Sequence, residues 1–444
     1  MSAARVYLDH NATAPLRPEA LAAMQAALAF PGNPSSVHAS GRAARARVED
    51  ARAAVARMVG GSVEGLVFTG GGTEANALAI WSAVASGEVP RLIVGATEHE
   101  AVANTARASG LPVEVWPVDR QGRADLDWLA DRLARWGAAD GRPFAALMLA
   151  NNETGVIQPV AKAAALLRKA GGWLHVDGVQ AAGKIALDVV ALGADTLAVS
   201  AHKFGGPQGA GALAYSDRLK IAPRQHGGGQ ERGLRAGTES VAAIAGFGAA
   251  ADAALRDLER SSSEPNTRSS RRMPGPRSQD STPGAGRDPT LEAAPYDLGP
   301  GIRRDERSEV SSREDDLPSL GDQAIWRDAA AARLKAAGAV IVGEDAPRLP
   351  GTLCLATASF PSALQVMALD LAGVEVSAGA ACSSGKVKPS GVLAAMGYDA
   401  DLASGALRAS GGWNTTNEDW ARFADAWLAA LARRAPAVRA REYA

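Results

Sequence analysis

The stretch Thr196-Leu197-Ala198-Val199-Ser200-Ala201-His202-Lys203 decides the fold. Its first four residues are apolar and partly β-branched, without polar alternation, which is the pattern of a strand covered on both faces. Ser200, His202 and Lys203 end the apolar run, and Gly205, Gly206, Pro207, Gly209 and Gly211 follow. The backbone is therefore expected to leave the strand through a glycine-rich bend. Partial desolvation at such a position lowers an amine's pKa, and a neutral amine can form a Schiff base. Taken alone, Lys203 is more simply a solvated lysine at a strand end. Its surroundings change that reading.

Outward from this run, residues 66–69, 91–95, 113–116, 145–149, 173–176 and 211–215 repeat the pattern, mostly separated by Ala-rich helical stretches. Such alternation argues for a mostly parallel sheet covered by helices. Polar residues sit just after the strands: Gly70 to Glu74, Glu98-His99, Asn151-Asn152-Glu153, Asp177 and Lys203. In open α/β sheets ligands bind beyond the carboxyl ends of the strands. Five loops converging on one edge weigh more than any single residue. Before the sheet, Tyr7 to Pro15 reads as an extended element with a turn, Pro18 to Leu28 as a helix, and 41–58 as a longer one. After it come expected helices at 240–259, 323–337, 362–372 and 418–434, with apolar segments at 339–342 and 353–356.

The totals exclude several classes. A 444-residue chain with 47% hydrophobic residues can bury a large core. A formal charge of −1 gives no electrostatic case for nucleic acid or membrane binding. With no apolar leader or spanning stretch in view, a cytoplasmic location is expected. The two cysteines, Cys354 and Cys382, rule out a disulfide framework or a cysteine-rich metal site, and no metal is expected. Cys354 lies in an apolar run, as core filler would. Cys382 lies among small polar residues. Residues 261–320 hold only eleven apolar side chains in sixty, too few to offset the entropy of ordering them. This segment reads as a disordered insertion between two helices.

Four features carry chemistry. Phe68 to Asn76 reads as strand, glycine turn and helix start, a place that favours a phosphate dianion. A plain glycine turn with Thr73 capping the helix is the simpler alternative. Asp177 ends the apolar run Leu174-His175-Val176. A buried aspartate must be paired to stay ionised, and a pyridinium N–H is one such partner. His99 is either a helix-start residue or an imidazole lying on a cofactor ring. Arg408 is a candidate clamp for a substrate carboxylate.

Together these strings resemble the cysteine desulfurases of the class V aminotransferase group, fold-type I pyridoxal phosphate enzymes. The matches are YLDHNATAP (7–15), GNPSSVH (32–38), FTGGGTEAN (68–76), TEHEAV (97–102), NNETGVIQPV (151–160), HVDGVQAAGK (175–184), SAHKFGGPQGAGAL (200–213), HGGGQERGLRAGTES (226–240) and AGAACSSGKVKPS (378–390). They run in family order, and the resemblance covers nearly everything except 261–320. Gly70 to Gly72 replaces the commoner Ser-Gly-Ala.

The resemblance implies an α/β fold with a large domain (16–255) built on a mainly parallel seven-stranded sheet. A small α/β domain would combine 1–15 with 256–444. It implies pyridoxal 5′-phosphate bound to Lys203 through a Schiff base, Asp177 on the ring nitrogen, and Gln180 and Asn152 near the ring hydroxyl or substrate. His99 would stack on the ring. Thr73, Ser200 and His202 would bind the phosphate, with Thr238 reaching it from the partner of a homodimer. Asn33, Asn152 and Arg408 would hold the carboxylate of L-cysteine, and Cys382 would accept the sulfur as a persulfide. Small residues around Cys382 suit a mobile loop, and Lys386 and Lys388 favour its thiolate. Delivery to an iron–sulfur scaffold or another acceptor protein would follow. A selenocysteine lyase or an aminotransferase would keep Lys203 and Asp177. A non-catalytic scaffold would have no reason to keep Lys203, Asp177, His99, Arg408 and Cys382 together.

Overall fold

The computed structural model describes residues 5–137, 140–263, 320–358, 360–379 and 390–442. Most of the expected insertion lies outside them, as do Cys382, Lys386 and Lys388. The described residues before 262 and after 319 belong to one compact unit.

The chain opens with a short strand β1 (Val6–Tyr7) and helices Pro18–Leu28 and Ala39–Met58. Seven strands follow: β2 (Leu66–Thr69), β3 (Leu92–Gly95), β4 (Val113–Trp116), β5 (Phe144–Met148), β6 (Trp173–Asp177), β7 (Thr196–Ser200) and β8 (Gly211–Tyr215). They form one sheet in the order β2-β8-β7-β6-β5-β3-β4. All but one run parallel; β8 lies antiparallel between β2 and β7. Only a 3₁₀ turn, Ala201–Lys203, falls between β7 and β8. A parallel return needs a long crossover, so this short connection forces β8 to double back.

The burial of β2, β3, β5, β6 and β7 at every position explains their mainly apolar runs. One face packs under helices Ala39–Met58 and Val241–Ser263, where Phe247 meets Phe68 and Phe204 with ring centroids 5.9 and 5.8 Å away. Helices Gly72–Ala85 and Glu100–Ala108 cover the other face. The edge strand β4 is less buried, and Glu114 on it pairs with Arg91 and Arg132. Charge on an edge discourages pairing with another chain.

A second core gathers Val6 and Leu8 with the last third of the chain. There β9 (Val340–Ile341), β10 (Thr352–Ala356), β12 (Ser377–Ala378) and β13 (Leu407–Ser410) form an antiparallel sheet in the order β12-β13-β10-β9, while β1 pairs with β11 (Val374–Glu375). The terminal helix Asn417–Glu442 buries Trp420, Phe423 and Trp427 against it. Cys354 on β10 is fully buried, and burial raises its thiol pKa strongly. It is core filler, as its apolar neighbours suggest.

The bend after β7 is fixed from the N-terminal side. Gly205 adopts φ +95°, and a Cβ there would stand 2.4 Å from Cγ of Arg17. Arg17 donates through its main-chain N to Gly205 O (2.8 Å) and through Nε to Phe204 O (2.9 Å), and its Nη2 pairs with Asp257 (2.6 Å). The end of β7 is thereby bolted to the start of the chain. Lys203 sits inside that bracket.

Candidate active site

A cavity of about 340 Å³ opens at the carboxyl ends of β5, β6 and β7. Thr73, His99, Asn152, Asp177, Gln180, Ser200, His202, Lys203 and Arg408 all line it. Nine residues singled out in the sequence thus meet in one place. Thr238 is exposed and outside the cavity lining. Asn33 is not brought to the cavity either. It lies in an exposed loop, where its Oδ1 accepts a bond from Ser35 N (2.9 Å).

Lys203 points at the N-terminal turn. Its Nζ donates to Asn11 O (2.7 Å) and Ala12 O (2.9 Å). Burial, and next the nearby Arg408, lower its pKa to about 8, against the pull of Asp177 and Asp9. An amine so placed is partly neutral near physiological pH. It can add to a carbonyl and take up a proton.

Asp177 ends β6 deep in the molecule, and burial raises its carboxyl pKa. Oδ1 accepts from Val179 N (2.9 Å) and Oδ2 from Asn76 Nδ2 (2.7 Å). Asn76 Oδ1 then faces His175 Nε2 (2.9 Å), whose other nitrogen meets Thr196 Oγ1 (2.9 Å). Because Asn76 Oδ1 can only accept, His175 carries its proton on Nε2 and accepts from Thr196. Burial keeps this imidazole neutral, with a pKa near 3. The chain of four side chains aims a carboxylate at the cavity and leaves it short of positive charge.

At the opposite wall helix Gly72–Ala85 begins without a side-chain cap on Gly71. A Cβ on Gly72 would stand 2.6 Å from Val179 Cγ2, so the backbone comes close where its first N–H groups are free. The hydroxyls of Thr73 and Ser200 and the ring of His202 stand beside this helix start. Burial lowers the His202 pKa to about 4, and its Nδ1 meets Thr13 Oγ1 (3.1 Å). This donor set suits a phosphate dianion. Thr73 therefore lines the cavity and does not cap the helix. A wider opening of about 780 Å³ adjoins it, lined by Gly70, Glu74, Gln208, Arg224 and Arg235.

His99 starts a helix and also reaches the cavity. Its Nδ1 accepts from Ala101 N (3.0 Å) and caps helix Glu100–Ala108, while its ring lines the cavity. Glu98 turns away and accepts from Met148 N; burial, then the neighbouring Asp177, raise its pKa far above the carboxylate range. Arg408, on β13, is 4% exposed. Nη2 pairs with Asp9 Oδ1 (2.7 Å) and Nη1 donates to Asn152 O (3.1 Å). Its Nε is buried with no hydrogen-bond partner among the described residues.

Sequence reasoning assigned no role to Asn11, Asn76, Lys184 or Glu153. Asn11 and Asn76 line the cavity, and Lys184 bonds to two residues that do. Glu153 Oε2 accepts from Ser390 Oγ (2.6 Å), and burial lifts its pKa to about 7. All four lie inside strings quoted above; that was the available signal.

With this geometry in place, comparison with known proteins is informative. Residues 6–272 match the family model described as Aminotransferase class-V. The cysteine desulfurase of Cereibacter sphaeroides is 37% identical, over 93% of this chain and 92% of its own length. Cysteine desulfurase IscS of Dictyoglomus turgidum is 33% identical, over 93% and 91%. Among solved structures, a NifS-like protein from Rickettsia africae superposes with a TM-score of 0.77 at 27% identity, covering 96% of this chain and 99% of that one. The chain belongs to the class V aminotransferase family, and its place there is among the cysteine desulfurases.

Proposed function

We propose that the protein converts L-cysteine to L-alanine with pyridoxal 5′-phosphate and retains the sulfur as a persulfide on Cys382. The observation that carries this reading is the opposition, in one cavity, of the Lys203 amine and the buried Asp177 carboxylate, with an uncapped helix start beside them. That donor set fits the cofactor. Lys203 would hold it covalently, Asp177 would meet the ring nitrogen, His99 would cover the ring, and Gln180 and Asn152 would stand by the ring hydroxyl or substrate. Thr73, Ser200 and His202 would take the phosphate, with Thr238 of a second copy. When bound, the cofactor supplies a sink for the electron pair released at the substrate Cα.

The remaining work falls to the chain itself. Arg408 binds the substrate carboxylate, its guanidinium held still by Asp9 and the Asn152 carbonyl; Asn152 and Asn33 complete that binding in this reading. Lys203 Nζ, its pKa lowered by burial and Arg408, would take the Cα proton. The Cys382 thiolate attacks the substrate sulfur: an S–S bond forms, the Cβ–S bond breaks, and its electron pair stays with the carbon fragment. Protonation of that fragment gives alanine, and Cys382 is left as Cys–S–SH. One cysteine and one thiol become one alanine and one persulfide, so the step balances without an added oxidant.

The reading includes the two-domain division at 16–255 against 1–15 with 256–444, a homodimer, a cytoplasmic setting and sulfur delivery to an iron–sulfur scaffold or other acceptor. No helix among the described residues is long and apolar enough to cross a membrane. The names of the relatives do not favour a selenocysteine lyase, an aminotransferase or a scaffold. The test is to add pyridoxal 5′-phosphate and L-cysteine with a thiol reductant and measure alanine and sulfide. Equal amounts of both support the reading; transfer of the amino group to a keto acid without sulfide would replace it.

A further inference from the structure

Lys184 is 8% exposed and forms no ion pair with an acid among the described residues. Its Nζ donates to Asn11 Oδ1 (2.6 Å) and Gln180 Oε1 (2.8 Å). The charges that act on it most are both positive, Lys203 and Arg408; with burial, the largest cause, they hold its pKa well below the usual lysine value. Both acceptors are neutral amide oxygens, so the amine is held without a counter-ion among the described residues.

One acceptor belongs to Asn11, whose main-chain O holds the Lys203 amine, and the other to Gln180, which donates to that same oxygen. Asn11 is engaged at every polar atom. Its N donates to Ser410 Oγ (3.0 Å), and its Nδ2 to Asn152 O and Thr352 Oγ1 (both 3.1 Å). Its main-chain O accepts from Gln180 Nε2 (2.9 Å) and from Lys203 Nζ (2.7 Å). With Nδ2 facing two oxygens, Oδ1 must face Lys184. By the same logic, Lys184 at Gln180 Oε1 turns the Gln180 amide so that Nε2 faces Asn11 O and the cavity. An amide flip would set Oδ1 of Asn11 against Asn152 O, or Oε1 of Gln180 against Asn11 O, acceptor against acceptor.

We propose that Lys184 is a positioning residue that fixes the amides of Asn11 and Gln180, and thereby the place where the Lys203 amine rests beside the cofactor. It does not touch the reacting atoms itself. The inference depends on Lys203 being the residue that holds pyridoxal 5′-phosphate.

The experiment uses full-length protein loaded with pyridoxal 5′-phosphate and compares the parent with Lys184→Met and Lys184→Gln. Methionine fills the space without a donor; glutamine keeps N–H donors on a side chain one bond shorter. Lys184→Met should shift the pH midpoint of the bound cofactor's visible absorption band. It should also speed cofactor release about tenfold, as loss of one buried hydrogen bond would. Lys184→Gln should recover part of both effects. Parent-like midpoint and release in Lys184→Met would overturn the proposal, as would a lower melting temperature with an unmoved midpoint. Failure of both variants to fold would assign Lys184 to stability instead and also overturn it. Lys203→Ala, measured alongside, separates the two readings. If it keeps the parent band, the role of Lys203 fails; if it loses the band while Lys184→Met matches the parent, only this inference fails.

Discussion

In the cofactor-free protein, Lys203 should cost stability, and the cost should depend on pH in a calculable way. Burial and Arg408 bring its pKa from 10.5 to about 8. At about 1.4 kcal/mol per pH unit, keeping the ammonium in the site at neutral pH costs about 3 kcal/mol. Between pH 8 and 10.5 the unfolded chain holds the proton and the folded chain has lost it, so raising the pH favours the fold. Replacing Lys203 with Met removes this penalty and also the bonds to Asn11 O and Ala12 O. Asn11 O keeps Gln180 as a partner, so the loss is about 1 kcal/mol. Lys203→Met apoprotein should therefore be about 2 kcal/mol more stable than the parent at pH 7. The advantage should vanish and slightly reverse by about pH 10.5. Denaturant midpoints of both apoproteins across that range measure the difference, and other titrating groups cancel in it. A difference independent of pH, or a parent that is the more stable at pH 7, would refute the reasoning.

Asp177→Asn should keep the cofactor and fold but lower alanine production by about a thousandfold in steady-state assays, since an amide cannot balance a ring cation. Arg408→Ala should raise KM for cysteine about a hundredfold and cost about 3 kcal/mol in thermal or chemical melts, because Asp9 is left without its guanidinium. Cys354→Ser should retain activity and lose about 1–3 kcal/mol, the cost of a buried hydroxyl without a partner.

The sheet was legible because the buried strands are mainly apolar runs bounded by polar or glycine-rich turns. Asp177 and Lys203 announced themselves as the polar ends of β6 and β7. Arg408 lay at the right place for a different reason, on a strand, β13, whose four residues carry too little pattern to stand out. The two-residue strands β1 and β11 hold each other from Val6 to Val374, hundreds of positions apart, which local pattern does not encode. The same distance hides the network around Asn11. Its bonds to Lys184, Thr352 and Ser410 span 173, 341 and 399 positions. A buried lysine reads as surface charge until the fold removes its water. The reversal of β8 was open to inference, because the eleven-residue step from Ser200 to Gly211 leaves no room for a crossover helix.

The central claim is that sulfur passes from cysteine to Cys382. Mass spectrometry of the cofactor-loaded protein after brief exposure to L-cysteine, without reductant, tests it most directly. The peptide containing Cys382 should gain about 32 Da, one sulfur atom, and the peptide containing Cys354 none. Cys382→Ser should gain none while still binding cysteine at Lys203 and Arg408. Sulfide release at the parent rate by Cys382→Ser, or added sulfur on Cys354 alone, would contradict the account.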